Sequence, residues 1–269
     1  MLTRTPFDIL AETYDQNFVH SQTGHLQREK VWYHLDPFLK SRGRTLRILE
    51  INCGTGEDAI RLAQMGHEVV GTDGSPTMIS VASNKGDALR LDNVKFVHCP
   101  FSEISKQFQK QKFDLVFSNF AGINCASRKE IAQLGKDFSS LVRPDGHLFF
   151  VVLSRFCLWE LLYYIFRIRP GIAFRRWKKN NVFVIDGHAM PVHYYSPGRF
   201  SKLFFPYFAH YSVYPVGLFL PPTYMEKSFI DRPIWLGKLN RLEYGLGKFS
   251  TLSSLADHYC IILKRDSGL

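Results

Sequence analysis

Glu50, Gly54, Gly56 and Asp73 carry the clearest chemical signal in the sequence, within the stretch RILEINCGTGEDAIRLAQMGHEVVGTD (47–73). A turn built on two glycines lets a ligand approach bare backbone, and where such a turn opens a helix the unpaired amides favour a hydrogen-bond acceptor. An acid some twenty residues further on, at the end of the next strand, can accept hydrogen bonds from both hydroxyls of a ribose. The pattern therefore predicts a site for an adenosine derivative. Gly54-x-Gly56-x-x-Ala59 followed by Asp73 also satisfies the dinucleotide fingerprint. Glu50 separates the two readings, because a carboxylate just before the turn attracts a ligand bearing an ammonium group and repels a pyrophosphate. The lack of a second catalytic domain also counts against a dehydrogenase.

For these residues to converge, 47–51 must be a buried strand, 57–65 a helix that stops at Gly66, and 67–72 the returning strand, as their apolar periodicity predicts. Ser75-Pro76 then opens a helix, with Met78 on its first turn facing the cleft or the core. VKFVH (94–98) and FDLVFS (113–118) read as further strands, and HLFFVVL (147–153) as a fifth after the Arg143–Gly146 turn. Strands alternating with helices across short loops give an α/β, doubly wound, Rossmann-like parallel sheet. Residues 1–45 read as an N-terminal helical cap broken at Asp36-Pro37, in which Tyr14, His20 and Arg28 either reach the ligand or pack on the surface. Core residues 46–153 are followed by an insertion over the sheet edge at 154–191. It comprises an apolar helix ended by Pro170-Gly171, a basic aromatic run, and a hairpin of 182–185 with 190–195 around Asp186-Gly187-His188-Ala189. Residues 192–269 complete the sheet of what reads as a single domain over 1–269: a helix to Leu203, a strand at 211–220, a helix at 230–246 and the strand HYCIILK (258–264).

At 269 residues and 45% apolar content the chain can bury a sizeable core. Its start has no basic-then-apolar leader, which predicts a cytoplasmic protein. Five cysteines without a CxxC pair argue against a zinc site or a disulfide framework. The net charge of +10 suits an anionic partner such as nucleic acid, a lipid headgroup or an acidic small molecule, or else a solvated basic surface. The stretch 148–166 approaches the ~20 residues needed to span a membrane, but Arg155 and Glu160 interrupt it.

E-x-N-C-G-T-G, G-T-D-x-S-P-x-M, F-D-L-V and L-V-R-P-D-G together resemble the class I S-adenosylmethionine-dependent methyltransferases, in particular the small-molecule type that includes quinone-biosynthesis enzymes. The resemblance covers about 45–153 and, more loosely, the final helix and strand. It implies S-adenosylmethionine as cofactor and a seven-stranded sheet whose last strand, HYCIILK, runs antiparallel. It also assigns Glu50, Asn52, Cys53, Gly54, Thr55 and Gly56 to the methionine end, Asp73 to the ribose, and Gly74 and Met78 to the adenine. Asn52 replaces the first glycine of the family's turn, a position where asparagine tolerates unusual backbone angles. The acid that often follows the third strand is here Pro100, leaving the backbone at Phe101 as its substitute. Asn119 and Phe120 follow the fourth strand, where the methyl group is presented. The N/D-P-P-Y motif for base amino groups and the acid cluster for Mg²⁺ are both missing, so no metal is expected.

Methyl transfer from a sulfonium gains mainly from alignment and from a base that takes the acceptor's proton. The hairpin and its flank offer His193 first, then His188, Tyr194 and Tyr195, with ordinary packing as the alternative for each. The run 167–179, with Arg167, Arg169, Arg175, Arg176, Lys178 and Lys179, is read either as a grip on a carboxylate, phosphate or membrane-surface headgroup or as a solvated loop. The aromatic second half favours a small apolar or aromatic acceptor. A nucleic-acid (RNA) methyltransferase and a non-catalytic cofactor-binding protein remain as rivals.

Overall fold

The strand Arg47–Ile51 (β1) is apolar towards both sides, and this dictates the architecture: a strand buried on both faces must lie inside a sheet covered by helices. The computed structural model describes residues 6–11, 14–15, 21–120, 122–178, 181–185, 188–228 and 233–266. Its strands β1, Glu68–Asp73 (β2), Val94–His98 (β3), Phe113–Ser118 (β4), Val142–Leu153 (β5), Phe208–Val216 (β8) and His258–Arg265 (β9) form one sheet in the order β3-β2-β1-β4-β5-β9-β8. The first five run parallel, and β9 is antiparallel to both β5 and β8. Asn181–Ile185 (β6) and His188–Val192 (β7) make a separate two-stranded hairpin.

Alternate residues feed two cores. Ile48, Leu115, Phe117, Phe149 and Val151 meet Val31, Trp32 and Leu35 of the helix Gln22–Lys40 (α2), which follows the short helix Pro6–Leu10 (α1). On the other face Leu49, Val116, Phe150 and Ile261 meet Ile131, Leu134 and Phe138 of the helix spanning Arg128–Leu141. The sequence reading broke the cap at Pro37, whereas α2 runs through it to Lys40. Proline there forfeits one backbone bond near the helix end, and the burial of Phe38 and Leu39 outweighs that loss.

The strand expected at 211–220 lies at 208–216, and the last helix begins at Pro233 rather than 230. Within the insertion the apolar helix is Leu158–Phe166, and Pro170-Gly171 does not end it but starts a short helix, Pro170–Ala173. Among the described residues, no helix is long and apolar enough to cross a membrane.

Chain order reverses between β1 and β4, so their C-terminal ends diverge and leave a crevice, the usual ligand position in such sheets. Because β9 is reversed, its first residue, His258, pairs with Leu153 at the end of β5 and therefore opens onto the same edge.

Candidate functional site

A cavity of about 660 Å³ occupies this edge. Its floor is the glycine turn. Gly54 and Gly56 have φ of +54° and +83°, and Gly56 opens the helix Glu57–Gln64 (α3). The two glycines do different jobs. A Cβ on Gly54 would meet nothing nearer than Tyr14 at 3.9 Å, so its bare backbone faces open space and the ring of the cap above. A Cβ on Gly56 would lie 2.8 Å from Ala82 and 2.9 Å from Phe96, so here the glycine permits packing against β3 and the next helix. Asn52 takes φ +56°, and Gly122 is needed because a Cβ there would sit 2.4 Å from the Asn52 Cβ.

Asp73 ends β2 and lines the cavity. Its Oδ2 accepts from the Gly54 amide (3.0 Å) and its Oδ1 from the Ser75 amide (2.9 Å), and each oxygen retains a lone pair for a ligand hydroxyl. Ser75 caps the helix Pro76–Ala88 as predicted, which brings Met78 and Gly74 to the cavity wall. Pro100 and Phe101 stand there with them.

Glu50 lies behind this floor, 1% exposed, and its Oε2 has no hydrogen-bond partner. Burial pushes its carboxyl well above the ordinary range, and the charge of Asp58 pushes the same way. An orphaned buried carboxylate oxygen fits a cationic ligand group. It also has a thermodynamic consequence. The folded state holds this proton to higher pH than the unfolded chain, so the group contributes stability at low pH that is lost as pH rises above about 4.3. Glu50→Gln is therefore expected to raise the melting temperature of the ligand-free protein, more at pH 8 than at pH 5. Equal melting curves at both pH values would refute this reading of Glu50.

The wall opposite the floor comes from the cap. Asp58, on α3, receives Arg28 in an ion pair, the Trp32 indole N–H (2.8 Å) and the Asn119 amide (2.9 Å). Asn119 in turn accepts from the Phe120 amide (2.8 Å) and holds Phe120 at φ +43°, a costly angle for an aromatic residue. The Arg28 guanidinium lies 4.8 Å from the centre of that ring.

The far end is polar and buried. Arg176 donates from Nε to Glu160 (2.7 Å), from Nη2 to Asp257 Oδ1, and from Nη1 to the carbonyls of Ser154 and Asp257 (3.1 Å each). Arg175 also pairs with Glu160, and the Tyr224 hydroxyl donates to it (2.9 Å). His258 Nδ1 lies 3.2 Å from Asp257 Oδ2, and its ring stands edge-on to Phe120 with centroids 5.9 Å apart. Burial would push the Asp257 carboxyl up, but the neighbouring His258 and Arg176 outweigh it and hold it well below the usual carboxylate range. Burial raises the Tyr194 phenol above its ordinary value.

Of the residues singled out from sequence, Tyr14, Arg28, Asn52, Gly54, Asp73, Gly74, Met78, Phe101, Asn119, Phe120 and Tyr194 line the cavity. Glu50, Cys53, Thr55 and Gly56 do not and instead support it from behind. His193 is a correction. Val192 and Tyr194 line the cavity, whereas the half-buried His193, just past the end of β7, does not. Its backbone is clamped instead by Asn124, whose carbonyl accepts from the His193 amide (2.8 Å) and whose side-chain amide donates to the His193 carbonyl (2.5 Å). His188 begins β7, its side chain lying outside the described structure, as do His20, Lys179 and the 186–187 turn. Arg175 and Arg176 are a second correction: they are internal partners of acids distant in sequence rather than free members of a surface grip. Asp58, Asn124, Arg176 in its buried role, and the Asp257–His258 pair went unread in the sequence.

Fold and crevice together define a class: an α/β protein that offers an adenosine-binding crevice at the switch point of a seven-stranded sheet with one reversed strand. Residues 48–146 match the family model described as a methyltransferase domain. Over 144 residues it is 32% identical to the tRNA 5-carboxymethoxyuridine methyltransferase of Escherichia coli, covering 53% of this chain and 54% of that protein. Over 152 residues it is 29% identical to the demethylmenaquinone methyltransferase of Bacillus cereus, covering 52% and 57%. The chain thus spans little more than half the length of these relatives. A crystal structure of an S-adenosylmethionine-dependent methyltransferase from Methanosarcina mazei shares the fold, with a TM-score of 0.55 at 18% identity over 82% of this chain and 92% of that one.

Proposed function

We propose that this protein transfers a methyl group from S-adenosylmethionine to a small, largely apolar acceptor with an ionisable O–H, N–H or C–H group. One observation carries the reading: a single cavity runs from the glycine turn and Asp73 to the buried Asp257–His258 pair. At the first end Asp73 and the backbone of Gly54 and Gly74 would hold the nucleoside, with Glu50 behind them for the amino group. The cofactor supplies a methyl group on a sulfonium, whose departure needs no acid. What remains for the chain is to align the acceptor and to take its proton. Phe120 and Arg28 wall the space between the two ends, and Tyr194 offers a hydrogen bond. His258 takes the proton: its ring lines the cavity with Nδ1 3.2 Å from Asp257 Oδ2, and the carboxylate stabilises the imidazolium that results.

Asp73→Ala is expected to weaken S-adenosylmethionine binding by about 10- to 100-fold, the cost of losing hydrogen bonds to a charged acceptor. Titration calorimetry with S-adenosylmethionine and with NADH checks both the residue and the class. Tight NADH binding without S-adenosylmethionine binding would overturn the proposal. An RNA acceptor is the second reading, favoured by the net charge of +10 and by the named substrate of the E. coli relative. A labelled-methyl screen against small-molecule and RNA pools separates the two, and cofactor binding with no transfer to either pool would leave a binding protein.

A further inference from the structure

The insertion carries a run of exposed apolar and basic side chains out of keeping with water. Phe166 is 82% exposed, Ile168 88% and Val184 63%, with Leu162 and Trp177 also exposed. Arg167, Arg169 and Lys178 are exposed among them, and from Leu161 to Ile185 there is no acid to neutralise them. Arg176 is buried and Arg175 half-buried against Glu160, so among the described residues the outer charge of this run rests on Arg167, Arg169 and Lys178.

Ile168 sharpens the point. It follows the helix Leu158–Phe166 at φ +56°, a left-handed position where helices commonly end in glycine and where a β-branched residue is strained. An exposed isoleucine there is unfavourable twice over in water, once for its backbone and once for its apolar surface. The same insertion reaches the cavity mouth. Phe183 and Tyr224 line the cavity yet are each 43% exposed, and the Arg175 guanidinium lies 4.9 Å from the Tyr224 ring.

We infer that residues 162–178 dock on an anionic lipid bilayer, with Phe166, Ile168 and Trp177 entering the headgroup boundary and Arg167, Arg169 and Lys178 pairing with lipid phosphates. The helix has nine residues, too few to span, and lies in the membrane plane. Docking brings the Phe183–Tyr224 rim to the bilayer, the phase in which an apolar acceptor concentrates. The delivery of acceptor rests on the methyl-transfer reading, and the docking does not.

The test is flotation of the full chain with vesicles of phosphatidylcholine alone and of phosphatidylcholine with phosphatidylglycerol. Binding is expected to the anionic vesicles and to weaken steeply between ~0.1 M and ~1 M salt, as the screening length falls from about 10 to 3 Å. Arg167→Gln with Arg169→Gln is expected to weaken it roughly 25-fold, about fivefold per charge. Ile168→Gly should also weaken it while leaving the melting temperature unchanged or higher, since it removes a strained and exposed side chain together. Absence of binding to anionic vesicles, or binding that ignores all these substitutions, overturns the proposal. So does binding to an RNA pool that the arginine substitutions abolish while vesicles are left untouched. Cofactor titration on the same preparation keeps the two readings apart: vesicles ignored but S-adenosylmethionine bound refutes docking alone, and the converse refutes methyl transfer alone.

Discussion

His258→Gln is expected to lower kcat by about 10²- to 10⁴-fold, the usual contribution of a positioned general base, while S-adenosylmethionine affinity stays within about twofold. Glutamine preserves the approximate size of the imidazole and a polar contact with Asp257, but it cannot take a proton. The split between turnover and cofactor affinity is the informative part. A histidine that merely packed against Phe120 would, when replaced, loosen the wall shared with Arg28 and disturb both quantities. Steady-state kinetics with the acceptor found in the labelled-methyl screen, beside calorimetry of the cofactor, supplies both numbers. Retention of kcat within threefold would remove His258 from the chemistry and leave alignment alone as the source of rate.

Arg176→Met should cost about 3–5 kcal/mol of stability. Arg176 is 5% exposed and answers two carboxylates, Glu160 at 1% and Asp257 at 2%. Removing the cation leaves Asp257 without its guanidinium and Glu160 with Arg175 and the Tyr224 hydroxyl, and it takes a donor from the carbonyls of Ser154 and Asp257, of which the second keeps the Ser154 amide. Methionine fills much of the volume, so the loss is one of charge and hydrogen bonds rather than of a cavity. Urea denaturation compares the midpoints. A loss below about 1 kcal/mol would mean that water or a rearranged Arg175 had taken over the site.

The cofactor half was legible because it is local. β1, the Gly54–Gly56 turn, α3, β2 and Asp73 follow one another in the chain, so spacing alone brings them together. The acceptor half was not, because it depends on strand parity and direction. His193 and Tyr194 are neighbours in sequence just past the end of β7, where the His193 backbone is held by Asn124 from another segment, and only Tyr194 meets the cavity. Asp257 and His258 open a strand that reads as plain apolar core. Their meaning comes from its reversal, which places a strand beginning where every parallel neighbour in the sheet has its end. A signal was present: two ionisable residues at the start of a strand expected to run antiparallel belong on the ligand-binding edge. Likewise nothing local distinguishes Arg175 and Arg176 from the exposed Arg167 and Arg169. Their acids lie at 160 and 257, and long-range pairing drew them inside.

The position of β9 also sets an order of assembly. It is made after β8 yet lies between β5 and β8, so β8 has no sheet neighbour until β9 arrives. β1 to β4 are complete by Ser118, whereas His258 follows 140 residues later (258 − 118), roughly 7–28 s at a synthesis rate of ~5–20 residues per second. A nascent chain on the ribosome thus carries the glycine turn and Asp73 well before His258, the residue proposed to take the proton, is made.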